Sequence, residues 1–307
     1  MSEPPEPPVP DPIPSPSAPP EEEAGASALR QFLGLFVVPL LVVLLCVAVF
    51  IGFGWIAHDK QTTSDCLNDL RSGWKPRRTQ AAYELSKILI ADPHALDEEP
   101  GAKAEVRTLF TEAQEPELKQ YLALVLGRTH DRQAVPLLVA ALGSPDAKTR
   151  IYSLWALGVL GDPAARGPLA AALADRDAGI RKTAAFALGE LGDRAAVPSL
   201  VPRLDDAVAD VRWNAALSLA RLGSRAGVPV LETMLDRRLL AQVPDISREQ
   251  QEEAMISALQ ALSALNEKAE LPLLDRLAAG DPSLKVRQAA ISAREEMAKR
   301  SGTKPSA

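Results

Sequence analysis

The chain has 307 residues, a formal net charge of −6 and only 4% aromatic residues. Without residues 1–58, which hold Arg30 and six acidic residues, 33 basic and 34 acidic residues remain. A nucleic-acid-binding protein normally has an excess of basic residues along one face, so this balance argues against that class. The two cysteines, Cys46 and Cys66, are too few for a disulfide framework, and a free Cys66 favours a reducing compartment.

Residues 1–27 are dominated by proline, glutamate, serine and alanine. Such a tract buries too little apolar area to offset the conformational entropy of the chain. We therefore expect a disordered tail with local polyproline character. A proline-rich run of this kind could alternatively dock into an SH3-like groove.

The next segment, 28–58, is predicted to be a transmembrane helix. From 31 to 58 the sequence carries no Asp, Glu, Lys or Arg and is overwhelmingly apolar, and a membrane-spanning helix needs about 20 such residues. Arg30 and Lys60 bracket the run, as expected at the two interfaces. We therefore predict a single-pass protein of a bacterial inner membrane, anchored through 31–58.

The orientation follows from the charges on the two sides of this segment. Arg30 is the only basic residue before it, whereas Lys60, Arg71, Lys75, Arg77 and Arg78 follow. The positive-inside rule thus predicts that the C-terminal domain is cytoplasmic. The opposite orientation, a signal anchor with an exported domain, stays open.

From about residue 115 onward the sequence repeats with a period of 31 residues. Arg181 falls 31 residues after Arg150 and 31 before Arg212, and Pro198 falls 31 before Pro229. A fixed period between about twenty and fifty residues indicates a stack of repeated structural units.

Each unit contains two short apolar segments with helical spacing. In 150–160, Leu154, Leu157 and Leu160 recur every three residues, as on an amphipathic helix. Gly161 follows the last apolar position, where glycine ends a helix at low cost. No segment alternates with a period of two, so we predict an all-α fold without strands.

The run from Ile180-Arg181 to Asp193, followed by Ala196-Val197-Pro198, resembles the repeat pattern of the HEAT-repeat family. It is similar to the short HEAT-like repeats of phycocyanobilin lyase subunits. The resemblance covers about residues 65–299 and is strongest from 115 to 235. It implies a right-handed α-α superhelix, a HEAT-type solenoid, but no lyase activity, because members of the family scaffold, dock and occasionally catalyse.

The predicted solenoid extends over 64–299 with about six helix pairs. Residues 64–113 look like a divergent first unit, and insertions lie near 92–101 and 238–249. Terminal units of a solenoid are commonly atypical because they cap its open ends. Residues 300–307 are predicted to be a second disordered tail. An insertion maps to one face of the stack, so the second insertion is a candidate partner contact.

One column of cations recurs near the start of the second helix of each unit: Lys119, Arg150, Arg181 and Arg212. The helix dipole disfavours a cation at this end, so each cation needs a specific partner. We interpret the column as a structural ladder, in which each cation reaches the turn carboxylate or carbonyl groups of an adjacent unit. The alternative is an anionic partner. In the unit after the second insertion, Met255 occupies this column.

Aromatic residues also concentrate on the second helices: Tyr121, Tyr152, Trp155, Phe186 and Trp213. The resemblance to HEAT repeats implies that this helix lines the concave surface. We predict these five as partner-binding residues in a groove for a helix or peptide. The alternative is that they fill space between alanine-rich repeats as ordinary core.

No catalytic constellation stands out in the sequence. The histidines His58, His94 and His130 share no metal-ligand spacing, and neither a phosphate loop nor a nucleophile elbow is present. The chain also has no His-Glu dipeptide, whereas paired His-Glu dipeptides hold two irons in the HEAT-repeat enzymes that resemble deoxyhypusine hydroxylase. We therefore predict no catalytic residue, no metal and no cofactor.

These features predict a membrane-anchored HEAT-repeat scaffold or adaptor without catalysis. It binds another protein, itself membrane-associated, through its concave helical surface. Two alternatives stay open: an accessory subunit of a membrane protein complex, and an enzyme of a type that the sequence does not reveal. No nucleic acid is expected as a partner, and the sequence identifies no small-molecule substrate.

Overall fold

The computed structural model describes Gly34 and residues 37–57, 61–72 and 74–300. The first predicted disordered tail, 1–27, lies outside the described residues. Of the second, 300–307, only Arg300 is described. The chain divides into two compact units, one ending at residue 60 and the other beginning at residue 61. Helix α1, Val38–Ala57, belongs to the first unit.

The predicted membrane span is not supported by helix α1. Among the residues that the structure describes, no helix is both long enough and apolar enough to cross a membrane. The prediction of a transmembrane helix at 28–58, and of a single-pass membrane localisation with it, is therefore wrong.

The described residues from 61 to 300 form an all-helical repeat solenoid without strands. Each unit has a first helix, a turn and a second helix. The first helices are α2 (Thr63–Arg71), α4 (Ala102–Glu112), α6 (Val135–Ala141), α8 (Arg166–Ala172), α10 (Val197–Leu200), α12 (Val228–Met234) and α15 (Leu271–Gly280). The second helices are α3 (Lys75–Ala91), α5 (Pro116–Arg128), α7 (Ala147–Leu160), α9 (Ala178–Leu191), α11 (Ala209–Arg221), α14 (Arg248–Leu265) and α16 (Leu284–Arg300). Helix α13 (Arg237–Leu240) lies in the second insertion.

The first helices of the later units begin with a tight turn and a proline. Short 3₁₀ segments precede them at Arg132–Ala134, Pro163–Ala165, Arg194–Ala196, Arg225–Gly227 and Lys268–Glu270. Pro136, Pro198 and Pro229 lie within the first two residues of α6, α10 and α12. Proline is tolerated there because the N–H groups of a first helical turn have no partner within the helix.

The second helices begin and end at capping residues. Asp146 caps α7 by accepting a hydrogen bond from the backbone N–H of Thr149 at 2.7 Å, and Asp177 caps α9 through Gly179 at 2.7 Å. Gly161 ends α7 with a φ of 68°, a left-handed conformation that glycine adopts at low cost. These local signals set the length of each helix and so the period of the stack.

The second helices pack directly on one another, α5 on α7, α7 on α9 and α9 on α11. A Cβ atom placed on Gly158 would lie 2.7 Å from the Cα and 2.8 Å from the backbone oxygen of Ala187. One placed on Gly127 would lie 2.8 Å from the Cα of Ala156. These distances leave no room for a side chain, so neighbouring second helices are in backbone contact.

The apolar core lies between the two helix layers and falls into two clusters. The first extends from Cys66 to Leu222 and the second from Ala216 to Met297. Helix α11 contributes residues to both clusters. The repeat places one fully buried leucine per period in the first cluster, at Leu126, Leu157, Leu188 and Leu219.

Replacement of Gly158 by alanine should lower the free energy of unfolding by about 1–2 kcal/mol. The added methyl group collides with Ala187, which costs about 1–3 kcal/mol and outweighs a helix-propensity gain of up to about 1 kcal/mol. The matched control is Gly280→Ala, because no atom lies within 4 Å of its added Cβ. Chemical denaturation followed by circular dichroism measures both variants, and equal stabilities would contradict the expected backbone contact.

Candidate functional site

The exposed face of the second-helix layer carries a groove with aromatic walls, here called the aromatic groove. Its cavity has a volume of about 340 Å³ and opens on α5, α7, α9 and α11. The lining residues are Leu124, Ile151, Tyr152, Trp155, Lys182, Thr183, Phe186 and Asn214. All eight side chains are half-buried, so each contacts the stack on one side and solvent on the other.

Two arginines lie over aromatic rings of this groove. The guanidinium of Arg128 is 4.4 Å from the ring centroid of Trp155, and that of Arg221 is 5.8 Å from the centroid of Phe186. Such cation–π contacts help to hold the rings in one orientation. Burial lowers the pKa of Arg128, and Arg221 also pairs with Glu190 at 3.1 Å.

Tyr121 lies beside the groove rather than in its lining. Its ring packs edge-to-face against Tyr83, with centroids 5.4 Å apart and an interplanar angle of 64°. Burial raises the pKa of Tyr121, and the nearby Glu117, Tyr152 and Tyr83 add to this effect. The tyrosine therefore extends the aromatic surface toward the first units of the stack.

Trp213 lines a different, larger cavity near the second insertion. Of the five predicted partner-binding residues, the structure thus gathers Tyr152, Trp155 and Phe186 into one groove and separates Trp213 from them. The sequence analysis missed Thr183, which lies in the groove lining. The period could have revealed this residue, because it follows Tyr152 by 31 positions.

The predicted ladder cations occupy related but unequal environments. Arg150, Arg181 and Arg212 each donate from Nη1 to the carbonyl oxygen six residues earlier, at 2.9, 3.0 and 2.8 Å. These carbonyls belong to the turn of the same unit. Lys119 differs, because its Nζ lies 5.3 Å from the ring centroid of Phe110.

Arg181 also reaches the turn of the next unit. Its Nε and Nη2 donate to the two carboxylate oxygens of Asp206, both at 2.9 Å. The two side chains are only 14% and 5% exposed. Hydrogen bonding to Arg181 lowers the pKa of Asp206, and the same bonds raise the pKa of Arg181. This bidentate pair ties the start of α9 to the turn before α11.

The described residues contain no group of three or more His, Cys, Asp or Glu side chains that could hold a metal ion. The rings of His94 and His130 stack with centroids 6.2 Å apart, and Nδ1 of His94 lies 2.9 Å from a carboxylate oxygen of Asp97. Burial raises the pKa of the Cys66 thiol to about 11, so the thiol is protonated at neutral pH. His58 lies outside the described residues.

Comparison with known proteins agrees with the repeat architecture. The family model for HEAT repeats matches residues 105–185 and 167–243. This part of the chain is therefore similar to HEAT repeats. No curated protein matches the chain.

Several solved structures are similar to the chain. A chain in the complex of CpcE and CpcF of phycocyanin lyase from Nostoc sp. PCC7120 is 21% identical, with 77% of this chain and 88% of that chain covered and a TM-score of 0.55. A designed armadillo repeat protein in complex with the peptide (KR)4 is 18% identical, with coverages of 77% and 100% and a TM-score of 0.44. Human deoxyhypusine hydroxylase in complex with glycerol is 20% identical, with coverages of 77% and 96% and a TM-score of 0.32. At this level of identity the likeness concerns the fold alone, so the absence of catalysis stays a prediction.

The substitution Asp206→Asn should lower the free energy of unfolding at pH 7 by about 3 kcal/mol, because it removes the counter-ion of a nearly buried guanidinium. The matched control is Asp210→Asn, which breaks the exposed pair of Lys182 and Asp210. An exposed pair contributes about 1 kcal/mol or less. Urea denaturation of both variants measures the difference, and similar losses would contradict a structural role for the Arg181–Asp206 pair.

The decrease in the free energy of unfolding caused by Asp206→Asn should also depend on pH. Folding lowers the pKa of Asp206 from its ordinary value of 3.8. The contribution of the ionised Asp206 to the free energy of unfolding is therefore complete above pH 3.8. As the pH falls through the lowered pKa of the folded state, the carboxylate is protonated and the contribution is lost. The stability difference between the wild type and the variant should therefore shrink in acid, and a difference that grows would contradict this assignment.

Proposed function

We propose that this protein is a non-catalytic scaffold or adaptor, which holds a helix or peptide of a partner protein in the aromatic groove. The observation that carries the proposal is the convergence of Tyr152, Trp155 and Phe186 on one cavity of about 340 Å³ at the surface. Aromatic side chains are enriched in the buried centres of protein interfaces, where they contribute most of the binding energy.

The composition of the groove favours an apolar segment of the partner. Five of its lining residues are apolar or aromatic: Leu124, Ile151, Tyr152, Trp155 and Phe186. The one charged residue of the lining, Lys182, pairs with Asp210 at 2.9 Å, which limits the net charge at the opening. An amphipathic helix with large apolar side chains three and four residues apart fits such a surface.

The helix layer behind the groove supports this proposal. Backbone contact at Gly127 and Gly158 keeps α5, α7 and α9 in a fixed relation, so the groove is formed before the partner binds. A preformed site loses less conformational entropy on binding. We propose that the groove lies on the concave side of a right-handed α-α superhelix over 64–299, as the resemblance to HEAT repeats implies.

Photo-crosslinking tests where the partner binds. The photoreactive amino acid p-benzoylphenylalanine replaces Phe186 in one variant and Val201 in the control, because Val201 is 40% exposed in the first-helix layer. We expect one partner protein to be crosslinked from position 186 and not from position 201. Equal crosslinking from both positions would contradict the proposed groove.

The partner identified in this way then allows a quantitative test with both proteins purified. Trp155→Ala should weaken binding at least about tenfold, because it removes the largest ring of the groove and the ring on which Arg128 lies. Val201→Ala, the control, should leave the Kd unchanged. Isothermal titration calorimetry measures the Kd, and circular dichroism checks that both variants fold. An unchanged Kd for Trp155→Ala would refute the proposal.

A further inference from the structure

A larger cavity lies where the second insertion interrupts the regular repeat. Its volume is about 1010 Å³, at the upper end of the range for ligand sites in proteins. Trp213 and Leu217 of α11 line it, together with Leu239, Val243 and Ile246 of the insertion. The cavity therefore combines an aromatic wall from the repeat with apolar side chains that only the insertion supplies.

Several apolar side chains of this cavity remain accessible to solvent. Leu239 is 43% exposed, and Val208, which lies in the turn before α11 and also lines the cavity, is 39% exposed. Trp213, Val243 and Ile246 are half-buried. Large apolar side chains from two separate segments thus border one open cavity, and such a surface is typical of a site that a partner covers.

The charged side chains of the lining are mainly acidic. Among the described residues that line the cavity, Asp210, Asp245 and Glu253 are acidic and only Arg212 is basic. Asp210 is paired with Lys182 at 2.9 Å. Asp245 and Glu253 are exposed, and within the described part of the chain neither forms an ion pair. These two carboxylates are therefore available to a cationic ligand.

The arginines nearest in the chain do not neutralise these two carboxylates, because each of them is paired with another carboxylate. The pairs are Arg237 with Asp281 at 2.7 Å, Arg238 with Asp236 at 3.4 Å and Arg248 with Glu252 at 3.5 Å. Once these pairs and that of Asp210 are counted, two carboxylates of the lining stand against Arg212 alone. The uncompensated charge of the cavity is therefore negative, and it complements a cation rather than an anion.

We propose that this cavity binds a peptide segment of a partner protein in which an arginine stands between large apolar residues. The guanidinium lies against the ring of Trp213, and Asp245 and Glu253 compensate its charge. Arginine fits better than lysine, because its planar guanidinium stacks on an indole ring, donates two parallel N–H groups to a carboxylate and is less strongly hydrated. Leu239 and Val243 cover the apolar residues of the peptide.

This site is distinct from the aromatic groove and goes beyond the proposed function. The linings of the two cavities have only Asn214 in common among the described residues. The charged residue in the lining of the aromatic groove is Lys182, whereas the larger cavity has a surplus of carboxylates. The two sites therefore favour different peptides, and Trp155 and Trp213 provide a separate substitution for each.

Selection from a random peptide library tests the ligand class without an assumed sequence. Phage-displayed dodecapeptides are selected on the immobilised full-length chain. Each enriched clone is then tested on Trp213→Leu, which removes the ring but keeps an apolar side chain, and on Trp155→Ala, which removes a ring of the aromatic groove. Circular dichroism checks that both variants fold.

We expect enriched clones that lose binding to Trp213→Leu, keep binding to Trp155→Ala and share an arginine between large apolar residues. Clones that lose binding to Trp155→Ala report on the aromatic groove, so failure of this cavity and failure of the proposed function are separate outcomes. If no enriched clone depends on Trp213, or if the clones that depend on it lack arginine, the proposal is overturned.

A synthetic peptide with the sequence of the strongest Trp213-dependent clone then tests the carboxylates. Asp245→Asn/Glu253→Gln should raise its Kd about tenfold, because two exposed ion pairs of modest strength are lost. Asparagine also tolerates the left-handed φ of 57° at position 245. The control Glu98→Gln/Glu295→Gln removes the same charge from exposed positions outside the cavity, and the Kd should stay within about twofold. Fluorescence anisotropy measures each Kd, and equal losses in the two double variants would overturn the proposal.

Two further changes give results that a general attraction to an acidic chain does not produce. Arg212→Gln removes the cation that repels the peptide, so the Kd should fall about threefold. Replacement of the peptide arginine by glutamine should raise the Kd about tenfold with the wild type and only about twofold with Asp245→Asn/Glu253→Gln. Weaker binding by folded Arg212→Gln, or an equal effect of the glutamine peptide on both proteins, would overturn the proposal.

Discussion

Backbone contact between neighbouring second helices is the constraint on which the other features of this stack depend. Gly127 lies against Ala156 and Gly158 against Ala187, so no large side chain fits between these helices. The aromatic residues of the same helices therefore lie at the outer face of the layer. The small residues at the crossings and the aromatic groove are thus two results of one packing arrangement.

The fold was largely predictable from the sequence, because its determinants are local and periodic. The capping aspartates Asp146 and Asp177 and the prolines Pro198 and Pro229 lie 31 residues apart, as do the glycines at 161, 192 and 223, and each acts within one turn of a helix end. The apolar run at 31–58 is less informative, because its signal is composition over a long window and not a local capping or turn residue. Helix α1 lies within this run, yet no described helix is both long enough and apolar enough to cross a membrane.

The candidate site was predictable only in part, because it depends on contacts between units. The 31-residue columns identified Tyr152, Trp155 and Phe186, but the same columns gave no reason to separate Trp213 from them. That separation results from the insertion, whose path no local signal reveals. The sequence analysis also treats core packing and groove lining as alternatives for the aromatic residues. In the structure Tyr152 and Trp155 do both, because they pack against the buried cluster and line the surface cavity.

The division of the apolar core at α11 has a mechanical consequence. In a stack whose units touch only their neighbours, resistance to separation is a sum of successive interfaces. Helix α11 gives Ala215 and Leu219 to one cluster and Ala216 and Ala220 to the other, and Leu204 packs against both. A substitution that loosens α11 should therefore weaken both clusters at once, because the two clusters meet at this helix within one compact unit that begins at residue 61.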